Sequence, residues 1–246
     1  MAWGVSVKEK LYTIPVNEAF ETNCECPVCV MRRKLEADAI EFTMGPSYME
    51  DDIREATSRL GFCEKHLLQL YQNQNRLGLA LILKTHMDKI VKDVGKYSSA
   101  DVKAPAAGLF KKKTESSEVS AYLDHMEESC FVCDKIEGTL KRYIATIFHL
   151  YHTEEAFRNK FKASKGFCVN DYKILYREAP SNLSGEELNR FRKELNELFL
   201  QNMNRVRDDL EWFINKFDYR YAEEPWKNAK DALTRSMLKT NGISEA

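Results

Sequence analysis

Apolar residues recur every three or four positions along most of the chain, which is the spacing of one face of an α-helix. The first such stripe follows Pro27, a residue type favoured at the first position of a helix. Its members are Val28, Met31, Leu35, Ala39 and Phe42. The motif Ser47-x-x-Glu50 predicts a capping box that opens a second helix, and Gly61 predicts its end. The pattern therefore predicts a helical hairpin near the start of the chain.

Two more helices are expected in the first half, at about residues 63–71 and 77–97, and the second half repeats the same order. Its opening stripe comprises Val132, Ile136, Leu140, Ile144, Ile147 and Tyr151. Thr153 is predicted to cap the next helix, and a helix from Cys168 is predicted to end before Pro180. A long helix then closes this half.

The pattern predicts an all-α protein of two duplicated helical units, each a helical hairpin plus a long closing helix, packed into one bundle-like body. A second capping box, Ser184-x-x-Glu187, marks the start of the second closing helix. The predicted organisation is residues 1–97 as the first repeat with a Cys/His metal site, 98–118 as a flexible linker, 119–222 as the second repeat with a Cys/Asp site, and 223–246 as a C-terminal helix. In that last helix the predicted core-facing residues are Trp226, Ala229, Leu233 and Met237.

The cysteines carry the clearest sign of duplication. They form the patterns Cys26-x2-Cys29-x33-Cys63-x2-His66 and Cys130-x2-Cys133-x34-Cys168-x2-Asp171. The tripeptide Gly-Phe-Cys ends at Cys63 and again at Cys168. Chance rarely places a CxxC motif and this tripeptide twice at matched distances, so an internal duplication is expected.

These spacings suit a metal ion. Two residues three apart on a helix share a face, so each pair presents two donor atoms to one point. In the first unit, Cys26, Cys29, Cys63 and His66 are predicted to surround one ion, because the intervening helices run out and back. Cysteine and histidine in such pairs are typical ligands of structural zinc. Iron, alone or as an iron–sulfur cluster, is the competing cofactor. Buried cysteines without a metal and a disulfide within the CxxC motif also stay open.

The predicted second site comprises Cys130, Cys133, Cys168 and Asp171. A carboxylate can bind zinc, although three thiolates and a carboxylate carry an excess of negative charge. Three states stay open for this site: Asp171 is a ligand, water or a partner fills an open fourth position, or the site holds no metal. His125, His149 and His152 are possible substitute ligands, each more typical of an ordinary helix or surface residue. Cys24 is surplus to both sets.

Composition restricts the expected location and binding partners of the chain. The 246 residues carry a net charge of −1, so no overall field attracts nucleic acid or an anionic membrane. The start of the chain lacks the features of a signal peptide, and no apolar run is long enough to span a bilayer. A cytoplasmic location is expected, where seven cysteines indicate metal ligands or reactive thiols before disulfides.

The chain resembles an uncharacterised bacterial helical family catalogued as domain of unknown function 6062. The likeness covers nearly the whole chain and rests on Cys26-Pro-Val-Cys29, Gly61-Phe-Cys-Glu-Lys-His66, Asn75-Arg-Leu-Gly-Leu-Ala80, Cys130-Phe-Val-Cys133, Gly166-Phe-Cys168 and Glu224-Pro-Trp226. The family pattern often has histidine where this chain has Asp171. The resemblance implies a cytoplasmic helical architecture and no particular reaction.

Three functions follow from these patterns. The first is a metal-stabilised interaction or scaffold module with another protein as its partner, favoured because no phosphate-binding loop, HExxH motif or nucleophile elbow occurs. The second is a metal-dependent enzyme with an open site in the second repeat, although no catalytic motif is recognisable. The third is a redox or metal sensor in which Cys24 competes for the first site. Nucleic-acid binding is not favoured, because Arg32-Arg33-Lys34 lies on a helix of alternating charge.

Overall fold

The computed structural model describes residues 3–103 and 117–243, and all regular structure in these two ranges is helical. The all-α prediction is confirmed. The α-helices are α1 (Trp3–Glu21), α2 (Pro27–Met44), α3 (Asp51–Leu60), α4 (Glu64–Gln72), α5 (Arg76–Lys103), α6 (Glu118–Glu128), α7 (Phe131–Thr153), α8 (Glu155–Ala163), α9 (Val169–Asn182), α10 (Gly185–Asn215) and α11 (Ala232–Asn241). Short 3-10 helices occupy Pro46–Met49 and Tyr219–Tyr221.

The helix boundaries of the first half follow local sequence closely. Pro27 begins α2, and Gly61 ends α3 in a conformation with φ +57° while its N–H donates to the Thr57 carbonyl. The predicted capping box at Ser47 is wrong. Ser47 lies inside the 3-10 helix, and Glu50 itself is the N-cap of α3. The proline before Ser47 starts a tight turn, which delays the helix by three residues.

Two boundary predictions of the second half are also corrected. Thr153 is the last residue of α7, and Glu154 is the N-cap of α8. Pro180 lies inside α9, which continues to Asn182. A proline this close to the helix end removes one backbone hydrogen bond, and the Leu183 N–H still reaches the Ala179 carbonyl at 2.8 Å. The opening stripe of α7 is fully buried, as its spacing predicts.

The C-terminal helix is shorter than predicted and turns a different face inward. α11 covers Ala232–Asn241, and Leu233, predicted to face the core, is 52% exposed. Met237 is also exposed, whereas Ala232 and Lys239 are buried. Of the predicted core-facing residues, Ala229 is buried as expected, but it precedes α11, and the inward face of the helix itself buries a lysine that the apolar pattern could not indicate. Of the predicted linker, residues 98–103 lie in α5, Ser117 is the N-cap of α6 and Glu118 its first residue, and residues 104–116 lie outside the described ranges.

The chain divides into two compact units. Unit 1 comprises Met1–Lys34 and Thr139–Ala246, and unit 2 comprises Leu35–Gly138. The chain therefore passes from one unit to the other within α2 and returns within α7. The repeat boundaries predicted from the sequence, and the duplication itself, stay predictions.

Each unit has its own core. Unit 1 buries an aromatic group in which neighbouring rings lie 4.9–6.2 Å apart: Phe20, Tyr151, Phe157, Phe161, Phe167 and Phe191. Unit 2 packs Leu60, Val132 and Ile136 together with Phe131. Among the described helices, none is both long and apolar enough to cross a lipid bilayer.

Candidate metal centres

The eight residues predicted as ligands form two tight groups, but the pairs are exchanged. Cluster A comprises Cys26, Cys29, Cys168 and Asp171, and cluster B comprises Cys63, His66, Cys130 and Cys133. Within each cluster the potential ligand atoms all lie within 4.8 Å of one another. The predicted pairing of Cys26 and Cys29 with Cys63 and His66 is therefore wrong, and so is the pairing of Cys130 and Cys133 with Cys168 and Asp171.

Helix lengths explain the exchange. α2 has 18 residues and the returning α3 only 10, so they span about 27 and about 15 Å. In the second half α7 has 23 residues and α8 only 9, or about 35 and about 14 Å. A helix that returns half the distance cannot bring the second pair back to the first within the same half.

In cluster A, one carboxylate oxygen lies at a similar distance from three sulfurs. Asp171 Oδ2 is 3.2 Å from Cys26 Sγ, 3.1 Å from Cys29 Sγ and 3.2 Å from Cys168 Sγ. The sulfurs of Cys29 and Cys168 are 3.6 Å apart. Tetrahedral zinc with Zn–S bonds of about 2.3 Å holds its sulfurs about 3.8 Å apart. The spacing of cluster A thus matches one mononuclear ion.

Two sulfurs of cluster A lie at helix N-termini. Cys26 immediately precedes α2, and its sulfur accepts the N–H of Cys29 at 3.3 Å. Cys168 is the N-cap of α9, and its sulfur accepts the N–H of Asp171 at 3.4 Å. Free N–H groups and the positive end of each helix dipole stabilise negative sulfur at these positions.

The second oxygen of Asp171 is held from outside the cluster. Arg32, one turn beyond Cys29 on α2, donates from Nη2 to Asp171 Oδ1 at 2.7 Å. Asp171 itself is only 1% exposed, so the guanidinium is the cation that compensates its charge. This contact orients the other oxygen towards the sulfurs, as outer partners of metal ligands do.

The C-terminal helix covers cluster A. A Cβ added at Gly242, the residue that ends α11, would lie 3.7 Å from Cys168 Sγ and 3.9 Å from Cys29 Sγ. The buried ammonium of Lys239 donates to the carbonyl of Glu25 at 2.7 Å and also to the carbonyl of Lys165. These carbonyls precede Cys26 and the Gly-Phe-Cys tripeptide, so Lys239 joins the two segments that carry the ligands.

In cluster B, the atom that lies at a similar distance from three sulfurs is an imidazole nitrogen. His66 Nδ1 lies 3.2 Å from Cys63 Sγ, 3.3 Å from Cys130 Sγ and 3.3 Å from Cys133 Sγ. The sulfurs of Cys63 and Cys133 are 3.9 Å apart. One nitrogen that faces three sulfurs, each at a similar distance, is the arrangement of a Cys3His zinc site.

Backbone contacts bring the two halves of cluster B together. The N–H of Phe131 donates to the Gly61 carbonyl at 3.0 Å, and the Ser129 hydroxyl donates to the Leu60 carbonyl at 2.7 Å. The turn before Cys63 is thereby fixed against the start of α7, which carries Cys130 and Cys133. A side chain at Gly61 would lie 2.8 Å from the His86 ring, which would have to shift, and the positive φ itself favours glycine at this position.

The other nitrogen of His66 binds an outer carboxylate. His66 Nε2 lies 2.9 Å from Glu36 Oε1, and the Lys65 ammonium is 2.5 Å from the same oxygen. Hydrogen bonds from Lys65 and His66 hold the pKa of Glu36 below its usual value despite partial burial. The ionised carboxylate accepts a hydrogen bond from Nε2–H and leaves Nδ1 as a lone-pair donor, which is the tautomer that a metal ion requires.

The electrostatics of both clusters favour a cation. Burial raises the pKa of Cys26 well above its ordinary value, and burial also raises the pKa of Asp171. Hydrogen bonds from Cys26 and Cys29 lower the pKa of Cys168 to about 2. In cluster B, burial raises the pKa of Cys133 to about 12. Cluster A thus carries few negative charges on its own, and a divalent cation would let the remaining thiols ionise.

The remaining candidates do not join either cluster. Cys24 is half-buried, and its thiol donates to the Ala19 carbonyl at 3.9 Å. His152 binds Glu187 at 2.7 Å on the surface. His125 and His149 are absent from both groups. All seven cysteines are free thiols, so a CxxC disulfide is not present.

Sequence reasoning missed the outer partners Arg32, Glu36 and Lys239. Arg32 and Glu36 occupy positions three and seven residues after Cys29, on the helix face that carries the CxxC motif. That spacing could have indicated the first two. Lys239 lies 71 positions beyond Cys168 in an amphipathic helix, and no local pattern marks it as buried.

Fold and clusters together define the class: an all-helical protein with two cysteine-rich groups that could each hold a metal ion. The chain belongs to the Family of unknown function (DUF6062), which it matches over residues 7–246. The resemblance inferred from the CxxC and Gly-Phe-Cys motifs is thereby confirmed. Comparison with curated proteins and with solved structures gave no match.

Proposed function

We propose that the protein binds one zinc ion at each cluster and uses the helical body stabilised by these ions as an interaction or scaffold module. The observation that carries the proposal is the placement of His66. Its Nδ1 faces three sulfurs while its Nε2 is bound by Glu36. A buried histidine without a metal has no need of three thiols around one nitrogen.

The spacing of the donor atoms favours a single zinc ion over an iron–sulfur cluster. Donor atoms within 4.8 Å of one another fit a single ion, whereas a cluster of several irons holds its cysteines further apart. A single iron ion is the remaining competitor. Zinc suits both donor sets better because Cys3His and Cys3Asp sets satisfy its preference for four tetrahedral ligands.

A complete donor set supports a structural role over an enzymatic one. Each cluster supplies four protein ligands, and catalytic zinc requires a vacant fourth position for water. Asp171, the base in the enzyme hypothesis, has one oxygen against the sulfurs and the other bound to Arg32. Neither oxygen is free to accept a proton from a substrate.

The proposed partner is another protein in the cytoplasm. Three large apolar side chains are strongly exposed where α10 ends: Ile214, Phe217 at 76% and Tyr219 at 88%. Adjacent exposed apolar residues of this kind are typical of protein interaction surfaces. Free thiols at every cysteine suit a reducing compartment.

Elemental analysis of protein purified without oxygen tests the metal proposal. We expect two zinc ions per chain, one lost in the Cys63→Ser variant and the other in Cys168→Ser. Substitution of zinc by cobalt should give absorption bands of tetrahedral thiolate coordination at both clusters. Iron in place of zinc, or no metal in freshly purified protein, contradicts the proposal.

The partner proposal requires a separate experiment. Quantitative affinity purification should recover a protein that binds the native chain and is lost from a Phe217→Ser, Tyr219→Ser double variant with both zinc ions in place. A double substitution at Lys193 and Glu197, which are exposed on α10, serves as the control. Equal recovery by all three chains would exclude this surface as the interaction site.

A further inference from the structure

We propose that cluster B is an oxidant-responsive zinc-release site, in which a hydroperoxide joins Cys63 and Cys133 in a disulfide while cluster A retains its ion. The inference rests on the zinc binding proposed above and adds a regulatory role to one of the two sites. It concerns cysteines other than Cys24, the residue that the sequence suggested as a sensor.

Access to solvent separates the two clusters. Every member of cluster A is buried, with no residue more than 5% exposed. In cluster B, Cys63 and Cys133 are only partly buried, whereas Cys130 and His66 are buried. Cluster B therefore offers a small oxidant more exposed cysteine surface than cluster A does.

The two accessible sulfurs are also neighbours. Cys63 Sγ and Cys133 Sγ are 3.9 Å apart, and a disulfide requires about 2.05 Å. Both residues are only partly buried, so the rotation that brings their sulfurs together meets fewer packed neighbours than it would in cluster A. Cys130 is less available, because it is buried and its sulfur accepts the N–H of Cys133 at 3.5 Å.

The chemistry balances with the hydroperoxide as the oxidant. One thiolate attacks the hydroperoxide, the O–O bond breaks, and sulfenic acid forms as hydroxide (from hydrogen peroxide) or alkoxide (from an organic hydroperoxide) leaves and takes a proton. The second thiolate attacks that sulfur, the S–S bond forms, and the sulfenic oxygen leaves as water after protonation. Two sulfurs lose one electron each, and the peroxide gains both. Zinc then keeps only Cys130 and His66 as ligands, too few to hold it.

Cluster A provides an internal control. Cys29 and Cys168 have sulfurs 3.6 Å apart, closer than the pair in cluster B. Distance alone would therefore predict that cluster A forms a disulfide first. Gly242 lies so near both of these sulfurs that an added Cβ would be in van der Waals contact with them, so protection by the end of α11 predicts the opposite order.

The test is a hydrogen peroxide titration of the zinc-loaded protein. A chromogenic chelator should detect one zinc equivalent released at least tenfold faster than the second. Mass spectrometry of the digested protein should then show a Cys63–Cys133 disulfide, with the cysteines of cluster A still reduced. Addition of a dithiol and zinc should restore the starting metal content.

The outcomes separate this inference from the proposed function. If the purified protein holds no zinc, the proposed function fails before any oxidant is added. If both ions are present, then simultaneous release, earlier release from cluster A, a Cys130–Cys133 disulfide, or oxidation only to sulfinic acid would each overturn the inference. The Cys24→Ser variant should release zinc at the native rate. A slower release would indicate that Cys24 is the oxidant-responsive residue.

Discussion

At the scale of single residues, Asp171 and His66 occupy equivalent positions in the two clusters, and their outer partners carry opposite charges. Each offers one atom to three sulfurs and the other to an outer partner, Arg32 for Asp171 and Glu36 for His66. With a divalent ion, cluster A has three thiolates, one carboxylate and one guanidinium, which leaves one net negative charge. Cluster B has three thiolates, a neutral imidazole, Glu36 and Lys65, which leaves the same charge. The choice of outer partner thus compensates for the change of ligand.

This reasoning predicts the effect of Glu36→Gln. The amide can still contact Nε2 but carries no charge, so His66 becomes a weaker donor and its tautomer is no longer fixed. We expect zinc affinity at cluster B to fall about 10- to 100-fold, the usual cost of an outer-partner change, with cluster A unaffected. Competition with a chelator of known affinity measures both sites. Glu41→Gln, an exposed residue on the same helix, is the control, and an equal loss in that variant would contradict the role of Glu36.

At the scale of elements, the turn before each third cysteine determines where that cysteine points. Gly61 and Gly166 both have positive φ, +57° and +76°, and each is followed by Phe and then by an N-cap cysteine. In cluster B the Ser129 hydroxyl binds the carbonyl just before Gly61, and in cluster A Lys239 binds the carbonyl just before Gly166. The carbonyl that precedes the glycine is therefore hydrogen-bonded at both turns, by a different donor in each.

Gly61→Ala should therefore destabilise the protein. Gly61 adopts φ +57° and ψ −153°, a region that only glycine visits readily, and the new methyl group would lie 2.8 Å from the His86 ring. We expect a loss of about 1–3 kcal/mol in the free energy of unfolding, measured by urea denaturation. Gly138→Ala is the matched control, because that glycine lies within α7 with no atom near its absent Cβ. It should be neutral or stabilising by about 0.5–1 kcal/mol; a similar loss in both variants would refute the conformational argument.

The helices and the ligand residues could be predicted from the sequence because both depend on local spacing. The stripe of α7 has a strict period and is buried at all six predicted positions. The grouping of the ligands could not be predicted in the same way. The two CxxC motifs and the two Gly-Phe-Cys tripeptides are nearly identical. No local feature therefore indicates which CxxC motif lies next to which Gly-Phe-Cys cysteine. The lengths of α3 and α8 decide the grouping, and the start of α3 was among the boundaries that the sequence placed wrongly.

At the scale of the whole molecule, the exchanged pairing gives the metal sites a topological role. Unit 1 is built from Met1–Lys34 and Thr139–Ala246, two segments separated in the chain by the whole of unit 2. Cluster A takes Cys26 and Cys29 from the first segment and its other ligands from the second. An ion there closes a loop of about 140 residues, worth about 5 kcal/mol by loop-closure entropy. An ion in cluster A would therefore stabilise unit 1 where its chain is discontinuous.

Lys239 also connects the two segments of unit 1, without a metal ion. It is 1% exposed, donates to the carbonyls of Glu25 and Lys165, and lies 3.2 Å from the Glu25 carboxylate, which Arg205 also binds. Lys239→Met would fill the space but leave two buried carbonyls without this donor and remove one cation from Glu25. Loss of one partner from a buried charge pair costs about 3–5 kcal/mol, which corresponds to roughly 10 °C in a chain of this size.

Lys239→Met should also accelerate zinc loss from cluster A to a chelator, because α11 would no longer be held against Cys29 and Cys168. Thermal denaturation and the rate of chelator-induced release measure the two effects in one preparation. Lys230→Met changes an exposed lysine just before the same helix and should alter neither quantity. A Lys239→Met protein as stable as this control, with unchanged release, would show that neither the joining of the segments nor the cover over cluster A depends on the ammonium group.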